Sequence, residues 1–277
     1  MAKAIMIQGT CSNAGKSFVT AGLCRAFSNA GYKTAPFKSQ NMSRNYYKLD
    51  NGKIISSAQA VQCMAARCEK SVLSNPIVLV PNSDVGSNVV VMGESVGNMN
   101  AKEYFVFKNS LRDTIQKAFS DLSEKNDIIV IEGGGSPAEI NLREGDIVNM
   151  GMAKMANAPV ILVGDIDRGG VFASIYGTIN LLEKDEQDLI KGFVINKFRG
   201  DIDILLPGVK TIEDLTKKSC FGVVPYADVY MEAEDSLCEN NDSEKPSAEF
   251  IDAEFDKIAR VIENSLNMKK IYAMLNI

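Results

Sequence analysis

The segment KAIMIQGTCSNAGKSF, at residues 3–18, restricts the fold more than any other part of the chain. Its apolar first half predicts a buried strand, and the residues from Gly15 onward predict the start of a helix. A glycine-bounded loop between a strand and a helix binds phosphate through its backbone N–H groups and the helix N-terminus. Five residues separate Gly9 from Gly15, where the common pattern has about four. The segment therefore predicts a phosphate-binding loop of unusual length.

Two side chains directly after the loop, and a third further along the chain, could bind the phosphates of a nucleotide and their metal ion. Lys16 and Ser17 follow the loop, and Glu132 ends the apolar run IVIE ahead of three glycines. In nucleotide-binding loops the lysine reaches the β- and γ-phosphates and the hydroxyl binds Mg²⁺. A carboxylate before glycines suits Mg²⁺ on nucleotide oxygens, because glycines let the backbone approach phosphate. The other interpretation of both segments is a glycine-rich turn without a ligand.

Short apolar runs alternate with longer amphipathic segments along the chain. The runs predict strands at 3–8, 34–37, 77–80, 89–92, 127–133, 158–165, 191–197 and 220–225. The segments between them predict helices at 15–30, 56–69, 101–124, 148–156, 170–183 and 209–218. Most runs are apolar throughout, which is typical of parallel strands covered on both faces. We therefore predict an α/β, doubly wound, mainly parallel sheet with helices on both faces and ligands at the carboxyl ends of the strands.

Composition removes several function classes. The net charge of −5 gives no reason to expect binding to nucleic acid or to an anionic membrane surface. We find no apolar run of about 18 residues and no basic-then-apolar leader, so we expect no membrane span and a cytoplasmic protein. The 277 residues include no histidine, which excludes a Ser-His or Cys-His nucleophile pair and a His-ligated metal within this chain. The six scattered cysteines predict buried or incidental thiols.

Several longer segments resemble a single protein family. They are IQGTCSNAGKS, APFKSQNM, SPAEINL, DIVNMG, VGDIDRGGVF, INKFRGD and GVVPY. Over about residues 3–236 the chain resembles the synthetase half of cobyric acid synthase, a glutamine-dependent amidotransferase of cobalamin biosynthesis. The longer opening loop is similar to that of the dethiobiotin synthetase-like branch of P-loop NTPase folds, which activates carboxylates or carbamates with ATP. The resemblance implies that ATP phosphorylates peripheral carboxylates of a corrinoid, adenosylcobyrinic a,c-diamide, and that ammonia then displaces phosphate to give the b, d, e and g amides of cobyric acid.

The resemblance also implies roles for individual residues. ATP would be held by Thr10, Asn13, Ala14, Gly15, Lys16, Ser17, Phe18, Asn196, Pro225 and Tyr226, and Mg²⁺ by Ser17 and Glu132. The catalytic set would be Lys16, Lys38 and Asp146, with Lys38 facing the γ-phosphate and the incoming carboxylate. The substrate would be bound by Ser39, Gln40, Asn41, Glu139, Asn141, Asn149, Asp167 and Arg168.

Four of these residues have simpler interpretations when the resemblance is set aside. Lys38 is then a solvated lysine at a strand end, and Asn196 a turn former. Asp146 is then an N-cap of the helix that follows it. Arg168 is then one half of an Asp–Arg pair on the surface. Both interpretations stay open at the level of the sequence.

The predicted domain organisation has three parts. We expect an ATP-binding amide-ligase domain over 1–236, a polar linker over 237–249 and a closing C-terminal helix over 250–277. In the family that this chain resembles, a glutaminase domain with a Cys nucleophile and a His base stands where the linker does. Without histidine this triad cannot form here, so free ammonia or a separate glutaminase subunit is the expected nitrogen source. A homodimer is expected from the resemblance alone.

The chain departs from the family's usual pattern at several positions, among them Arg44, Tyr46 and Asn88 and three where a charged residue is lost. Ile54, Ser57 and Val80 stand where the family usually has a glutamate, an arginine and a lysine. If those charges bind metal or substrate carboxylates, their loss weakens binding. Two alternatives to a corrinoid amide ligase therefore stay open. One is a corrinoid- or nucleotide-binding paralogue that no longer catalyses, and the other is an ATP-dependent ligase for another carboxylate.

Overall fold

The computed structural model describes residues 1–82, 86–229 and 247–277. Its strands are β1 (Lys3–Gly9), β2 (Thr34–Phe37), β3 (Gln40–Met42), β4 (Tyr46–Lys48), β5 (Ile54–Ser56), β6 (Ile77–Pro81), β7 (Gly86–Val91), β8 (Glu94–Asn100), β9 (Ile128–Glu132), β10 (Val160–Asp165), β11 (Ile190–Phe198) and β12 (Ser219–Pro225). Its helices are α1 (Lys16–Asn29), α2 (Ser57–Ala66), α3 (Ala101–Phe107), α4 (Arg112–Ser123), α5 (Met150–Ala156), α6 (Val171–Asn180), α7 (Lys184–Leu189), α8 (Ile202–Thr216), α9 (Ala248–Ser265) and α10 (Met268–Leu275). Short 3-10 helices lie at Val72–Ser74, Lys108–Leu111 and Ile140–Leu142.

A parallel sheet with the strand order β12-β11-β10-β1-β9-β2 forms the centre of the molecule. Side chains alternate across it, so that Ile5 and Ile7 pack on one face and Met6 on the other. Helices α1, α9 and α10 cover the first face, and α4, α5, α6 and α8 cover the second. Both faces are buried, which explains why the strand sequences are apolar throughout. The predicted α/β doubly wound fold is confirmed.

A second sheet, β3-β6-β7-β8, lies beside the central one. The runs at 77–80 and 89–92 are strands, as predicted, and they form β6 and β7, which pair antiparallel outside the central parallel sheet. The short connection between Pro81 and Gly86 explains this, since parallel neighbours need a crossover of about a dozen residues or more. Four strands were not predicted at all. β3, β4 and β5 have three residues each, and β8 is polar and exposed, so none shows an apolar pattern.

Two helix predictions also need correction. The single helix predicted over 101–124 is α3 and α4 joined by a 3-10 turn. The helix predicted over 209–218 is α8, which begins at Ile202 because Asp201 caps it by accepting a hydrogen bond from the Asp203 N–H at 2.9 Å. The predicted range begins after Pro207, whereas α8 contains that proline. The short helix α7 was not predicted.

The C-terminal segment forms two helices, and the prediction of one helix over 250–277 was wrong. Between α9 and α10, Leu266 is extended and bridges to Gly222, while the Asn267 N–H donates to the Phe221 carbonyl at 2.7 Å. These bonds to β12 interrupt the helical ladder. The predicted linker at 237–249 lies mostly outside the described residues, and Ser247 already caps α9 through the Phe250 N–H.

Helix α9 holds α1, and therefore the opening loop, against the sheet. At Gly22 a Cβ would lie 2.3 Å from Ile262 Cγ1, so α1 and α9 can pack this closely only because residue 22 is a glycine. The buried Arg25 guanidinium pairs with Asp252 at 2.7 Å. Phe255, Ile258 and Ile262 are buried in the same contact, and full burial of each such side chain contributes about 1.5–3 kcal/mol.

Among the residues that the structure describes, no helix is both long enough and apolar enough to cross a lipid bilayer.

Candidate active site

The opening loop connects β1 to α1 with a backbone that requires glycine at one point. Gly15 has a positive φ of 93°, and a Cβ there would lie 1.9 Å from Asn196 Nδ2. The Asn196 side chain donates to the Ala14 carbonyl at 3.0 Å, while the Thr10 N–H donates to the Val163 carbonyl at 2.9 Å. The loop is thus held from the ends of β10 and β11, with α1 beginning directly after it.

The Lys16 side chain spans from the opening loop to the glycines after β9. Its Nζ donates to the Cys11 carbonyl at 3.1 Å and to the Gly135 carbonyl at 3.0 Å. The side chain is buried. Strands β1 and β9 are parallel neighbours, with Ile7 opposite Glu132, so their carboxyl ends bring the two glycine-rich loops together.

Glu132 lies at the centre of a buried hydrogen-bond network. Its Oε1 accepts from Ser17 Oγ at 3.0 Å and from Lys38 Nζ at 2.9 Å, and its Oε2 accepts from Gln62 Nε2. Gln62 in turn accepts from Gln59 Nε2 at 2.8 Å. Glu132 is 1% exposed and Lys38 4% exposed, so this is a buried ion pair. Lys38 is therefore not the solvated strand-end lysine that the sequence also allowed.

The pair formed by Ser17 and Glu132 fits a Mg²⁺ ion. Magnesium takes oxygen ligands octahedrally at about 2.0–2.1 Å, which separates adjacent oxygens by about 2.9 Å. The distance from Ser17 Oγ to Glu132 Oε1 is 3.0 Å. This separation is that of the hydrogen bond between the two groups, so what suits Mg²⁺ is their chemistry as two hard oxygen donors, to which nucleotide phosphates would add further ligands.

A cavity of about 310 Å³ extends from the loop along α2 and the ends of β11 and β12. The predicted nucleotide-binding residues that line it are Asn13, Gly15, Lys16, Ser17, Phe18, Asn196, Pro225 and Tyr226. Thr10 and Ala14 do not line it, because Thr10 bonds to β10 and the Ala14 side chain is buried in the core. Ala58, Val61, Gln62, Lys197 and Ala227 also line it and were not predicted.

Lys197 and Arg199 support this cavity and were also missed by the sequence analysis. Lys197 Nζ donates to the Asn13 carbonyl and pairs with Asp165, both at 2.7 Å. The Arg199 guanidinium lies 3.6 Å from the centre of the Tyr226 ring. Both residues belong to the segment INKFRGD, and two cations at the end of a buried strand were the signal that could have identified them.

A larger cavity of about 750 Å³ lies on the other side of Lys16, between the glycines after β9, the second sheet and α3. The predicted catalytic and substrate-binding residues that line it are Lys16, Lys38, Gln40, Asn41, Glu139, Asp146 and Asn149. Asn13 and Lys16 line both cavities. Each cavity therefore opens on one side of the same lysine.

Four predicted substrate-binding residues lie outside this larger cavity. Ser39 is buried and donates to the Ile147 carbonyl at 2.7 Å, and Asn141 is exposed on a 3-10 turn. Asp167 and Arg168 lie on the loop after β10 and line neither cavity. Arg168 is exposed and its Nε is 3.9 Å from Asp165, so an Asp–Arg pair is present, but Asp165 is buried and the pair is not one between two surface residues. The sequence places a residue at a strand end but does not show which way its side chain faces.

Asp146 has a structural task at the start of α5. Its carboxylate accepts from the backbone N–H groups of Val148, Asn149 and Gly151 at 2.8, 3.0 and 2.8 Å. The alternative interpretation of Asp146 as the N-cap of this helix was wrong, because Asn149 is the N-cap; Asp146 instead holds the turn that leads into α5, and it also lines the larger cavity. Asn149 Nδ2 donates to the Gly134 carbonyl at 2.6 Å, which ties the start of α5 to the glycines after β9.

The wall opposite these glycines comes from α3 and the 3-10 turn that follows it. The Tyr104 hydroxyl donates to Gln40 Oε1 at 2.5 Å, and burial raises the pKa of Tyr104. Burial lowers the pKa of Lys108, which lies in the same wall. Neither residue was predicted, because α3 has no pattern that distinguishes a cavity wall from a surface. Ile54, Ser57 and Val80 line neither cavity.

A sequence profile for the family described as the CobQ/CobB/MinD/ParA nucleotide binding domain matches residues 5–237. Cobyric acid synthase of Ruminiclostridium cellulolyticum is 53% identical over 261 residues, covering 94% of this chain and 51% of the relative. That of Lachnoclostridium phytofermentans is 56% identical over 243 residues, covering 86% and 47%. The chain thus spans about half the length of the curated relatives it matches.

Solved structures resemble the chain more distantly. The septum site-determining protein MinD of Pyrococcus horikoshii, complexed with Mg-ADP, is 18% identical, with a TM-score of 0.44 and coverage of 82% of each chain. The profile match, over residues 5–237, covers most of the chain. The chain belongs to the family of CobQ/CobB/MinD/ParA nucleotide-binding domains.

Proposed function

We propose that this chain uses ATP and Mg²⁺ to convert peripheral carboxylates of a corrinoid, adenosylcobyrinic a,c-diamide, into the carboxamides of cobyric acid. The observation that supports this most directly is the arrangement of the two cavities around Lys16. A nucleotide in the smaller cavity would direct its terminal phosphate toward the larger one. The names of the relatives, which this chain matches over about half their length, point to the same substrate.

The chemistry follows from the poor reactivity of a carboxylate. A carboxylate oxygen attacks the γ-phosphorus of ATP and ADP leaves, which gives an acyl phosphate. The nitrogen of ammonia then attacks the acyl carbon, inorganic phosphate leaves, and the amide loses a proton to water. The protein contributes by positioning the reactants and by neutralising charge on the transferred phosphoryl group.

The residues around Glu132 suit the first step. The Lys16 and Lys38 ammonium groups line the larger cavity and would stabilise negative charge on the transferred group. Ser17 and Glu132 would hold Mg²⁺, which when bound neutralises charge on the phosphate oxygens. Glu132 keeps Lys38 in place through their ion pair at 2.9 Å. Asp146 would act as a positioning residue, since its carboxylate holds the start of α5 and with it Asn149.

The nitrogen source would be free ammonia or a separate glutaminase. Among the 277 residues the sequence provides no histidine for a Cys-His pair. We expect ammonium to support amidation and glutamine to support it only when a glutaminase is added. Amide formation from glutamine by the purified chain alone would contradict this part of the proposal. We also predict that the chain forms a homodimer and that it is cytoplasmic. Sedimentation of the purified chain would test whether it forms a dimer.

The test of the proposal combines ATP, Mg²⁺, labelled ammonium and cobyrinic acid a,c-diamide. We expect ADP release that depends on the corrinoid, and stepwise gain of labelled nitrogen measured by mass spectrometry. A corrinoid with heavy oxygen in its carboxylates should pass that label to inorganic phosphate, as an acyl phosphate requires. A Lys117→Ala variant, altered at an exposed residue on α4, should behave like the unaltered chain.

Three results of this experiment would contradict the proposal. ATP and corrinoid binding without turnover would favour a paralogue that no longer catalyses. Faster ADP release with another carboxylate would favour a different ligase. Amide formation without transfer of heavy oxygen to phosphate would exclude the acyl phosphate route.

A further inference from the structure

Lys108 is a buried lysine in the wall of the larger cavity with no role in the chemistry described above. It is 9% exposed and lies on the 3-10 turn after α3. Its Nζ donates to the Glu144 carbonyl at 2.8 Å and lies 4.1 Å from the centre of the Phe105 ring. Within the described ranges no carboxylate lies at ion-pair distance from it, whereas Lys38 pairs with Glu132 in the same cavity.

The local backbone holds Lys108 in this position. Gly145 has a positive φ of 64°, and a Cβ there would lie 2.2 Å from Asn109 Oδ1 and 3.3 Å from Lys108 Cε. The loop before Asp146 can therefore pack on the lysine stem only because it has a glycine at this point. The stem is covered by this loop, and the residue lines the cavity.

The electrostatic surroundings leave the positive charge of Lys108 incompletely balanced. Burial lowers the pKa of Lys108, and the negative charges of Asp146 and Glu144 raise it by a smaller amount. The Asp146 carboxylate already accepts three backbone N–H groups. A buried charge is costly unless it is paired and hydrogen-bonded, and an ammonium group has three donors, of which one is used by the Glu144 carbonyl.

We infer that Lys108 binds a second carboxylate of the substrate, one that is not being phosphorylated. This inference rests on the proposed function, because it concerns the same substrate in the same cavity. The reacting carboxylate would lie by Lys16 and Lys38, and the second would pair with Lys108 in the part of the cavity wall formed by the 3-10 turn after α3. A substrate with several similar carboxylates would thereby be fixed in one orientation, and Lys108 would help to decide which arm reacts.

The test compares Lys108→Met, which removes the charge at similar volume, with Lys108→Arg and with the exposed control Lys117→Met. Binding of cobyrinic acid a,c-diamide and of cobinamide, whose side arms are all amides, is measured by calorimetry without ATP. We expect Lys108→Met to weaken binding of the carboxylate-rich ligand about 10- to 100-fold. Binding of cobinamide should not change, Lys108→Arg should retain most of the affinity, and the control should match the unaltered chain.

Thermal unfolding separates binding from a structural role. Replacement of a buried charge by methionine should leave the melting temperature unchanged or raise it. If Lys108 served mainly to hold the Glu144 loop, the melting temperature would fall and both ligands would lose affinity equally. Equal weakening of both ligands, or no weakening of either, overturns the inference.

A second measurement uses the unaltered chain and does not require a stable variant. Acetylation of lysines followed by peptide mass spectrometry should show Lys108 protected by cobyrinic acid a,c-diamide and not by cobinamide. Equal protection by both ligands, or by neither, contradicts the inference. These results are independent of turnover. If the chain forms no amide but Lys108→Met selectively weakens binding of the carboxylate-rich ligand, the Lys108 site is supported and the proposed reaction is contradicted. If the chain forms amides but the variant shows no selective loss of affinity, only the Lys108 site is contradicted.

Discussion

The smaller and the larger cavity share Asn13 and Lys16 but have walls of different construction. The smaller one lies at the carboxyl ends of parallel strands, and five of its lining residues lie within the short segment from Asn13 to Phe18. The larger one is assembled from separate segments: the glycines after β9, the second sheet, α3 and the loop before α5. One cavity follows from a local backbone pattern, and the other follows from how distant segments pack.

The two cavities also differ in how their charges are balanced. Around Ser17 and Glu132, side chains bond to one another inside the protein. At Lys108 the chain supplies a carbonyl and an aromatic ring, and no carboxylate at ion-pair distance among the residues described. Where the protein balances a charge itself, we expect substitution to affect folding as well as catalysis. Where it does not, we expect substitution to affect binding.

The largest effect is expected for Glu132→Gln. The buried Lys38 ammonium loses its negative partner at 2.9 Å, and an amide nitrogen enters a site surrounded by donors. Breaking a buried pair from one side costs about 3–5 kcal/mol, which urea unfolding would measure. The double variant Glu132→Gln with Lys38→Met should recover part of that loss, because neither charge is left. If Glu132→Gln were as stable as the unaltered chain, the ion pair between Lys38 and Glu132 would not contribute to the stability of the fold.

The next effect is expected for Lys16→Ala. Removal of the ammonium group that lines both cavities should lower kcat about 10²- to 10³-fold, as the loss of a group that stabilises transition-state charge does. The chain should still fold, since Lys16 bonds to backbone carbonyls on two loops rather than to the core. Steady-state ADP release with the control Lys117→Ala tests this. Unchanged kcat would remove Lys16 from the reaction.

A smaller effect is expected for Asp146→Asn. The amide cannot accept from all three backbone N–H groups, so one buried donor at the start of α5 is left unsatisfied. The expected cost is about 1–3 kcal/mol in urea unfolding. If Asp146 acts by positioning α5, kcat and stability should both fall. A loss of kcat without any loss of stability would indicate direct contact with the reacting groups.

The smallest effect is expected for Arg199→Ala. The guanidinium lies 3.6 Å from the centre of the half-exposed Tyr226 ring, and a contact of this kind is worth about 0.5–1 kcal/mol at exposed sites. We expect KM for ATP to rise about 2- to 5-fold with kcat unchanged. The conservative variant Arg199→Lys should lie between the two. A large fall in kcat would show that Arg199 contributes more than support of the Tyr226 ring.

The parts of the site that could be predicted are those with a local backbone requirement. The Gly15 loop and Glu132 are visible in the sequence because a strand, glycines and a polar residue follow one another within a few positions. Gln62 could not be assigned, since a glutamine on an apolar helix shows no partner until α2 is packed beside β9. For the same reason Arg168 was assigned to the substrate although its side chain is exposed on the loop after β10.

The sequence by itself determined the central parallel sheet, the opening loop and the glycine-rich turn after β9. These depend on the apolar content of short runs and on the conformational freedom of glycine, which are properties of neighbouring residues. Only the tertiary structure decided that the C-terminal segment breaks at Leu266 and that Lys108 lines a cavity. Each of those outcomes depends on contacts between segments far apart along the chain, and no local pattern of residues records them.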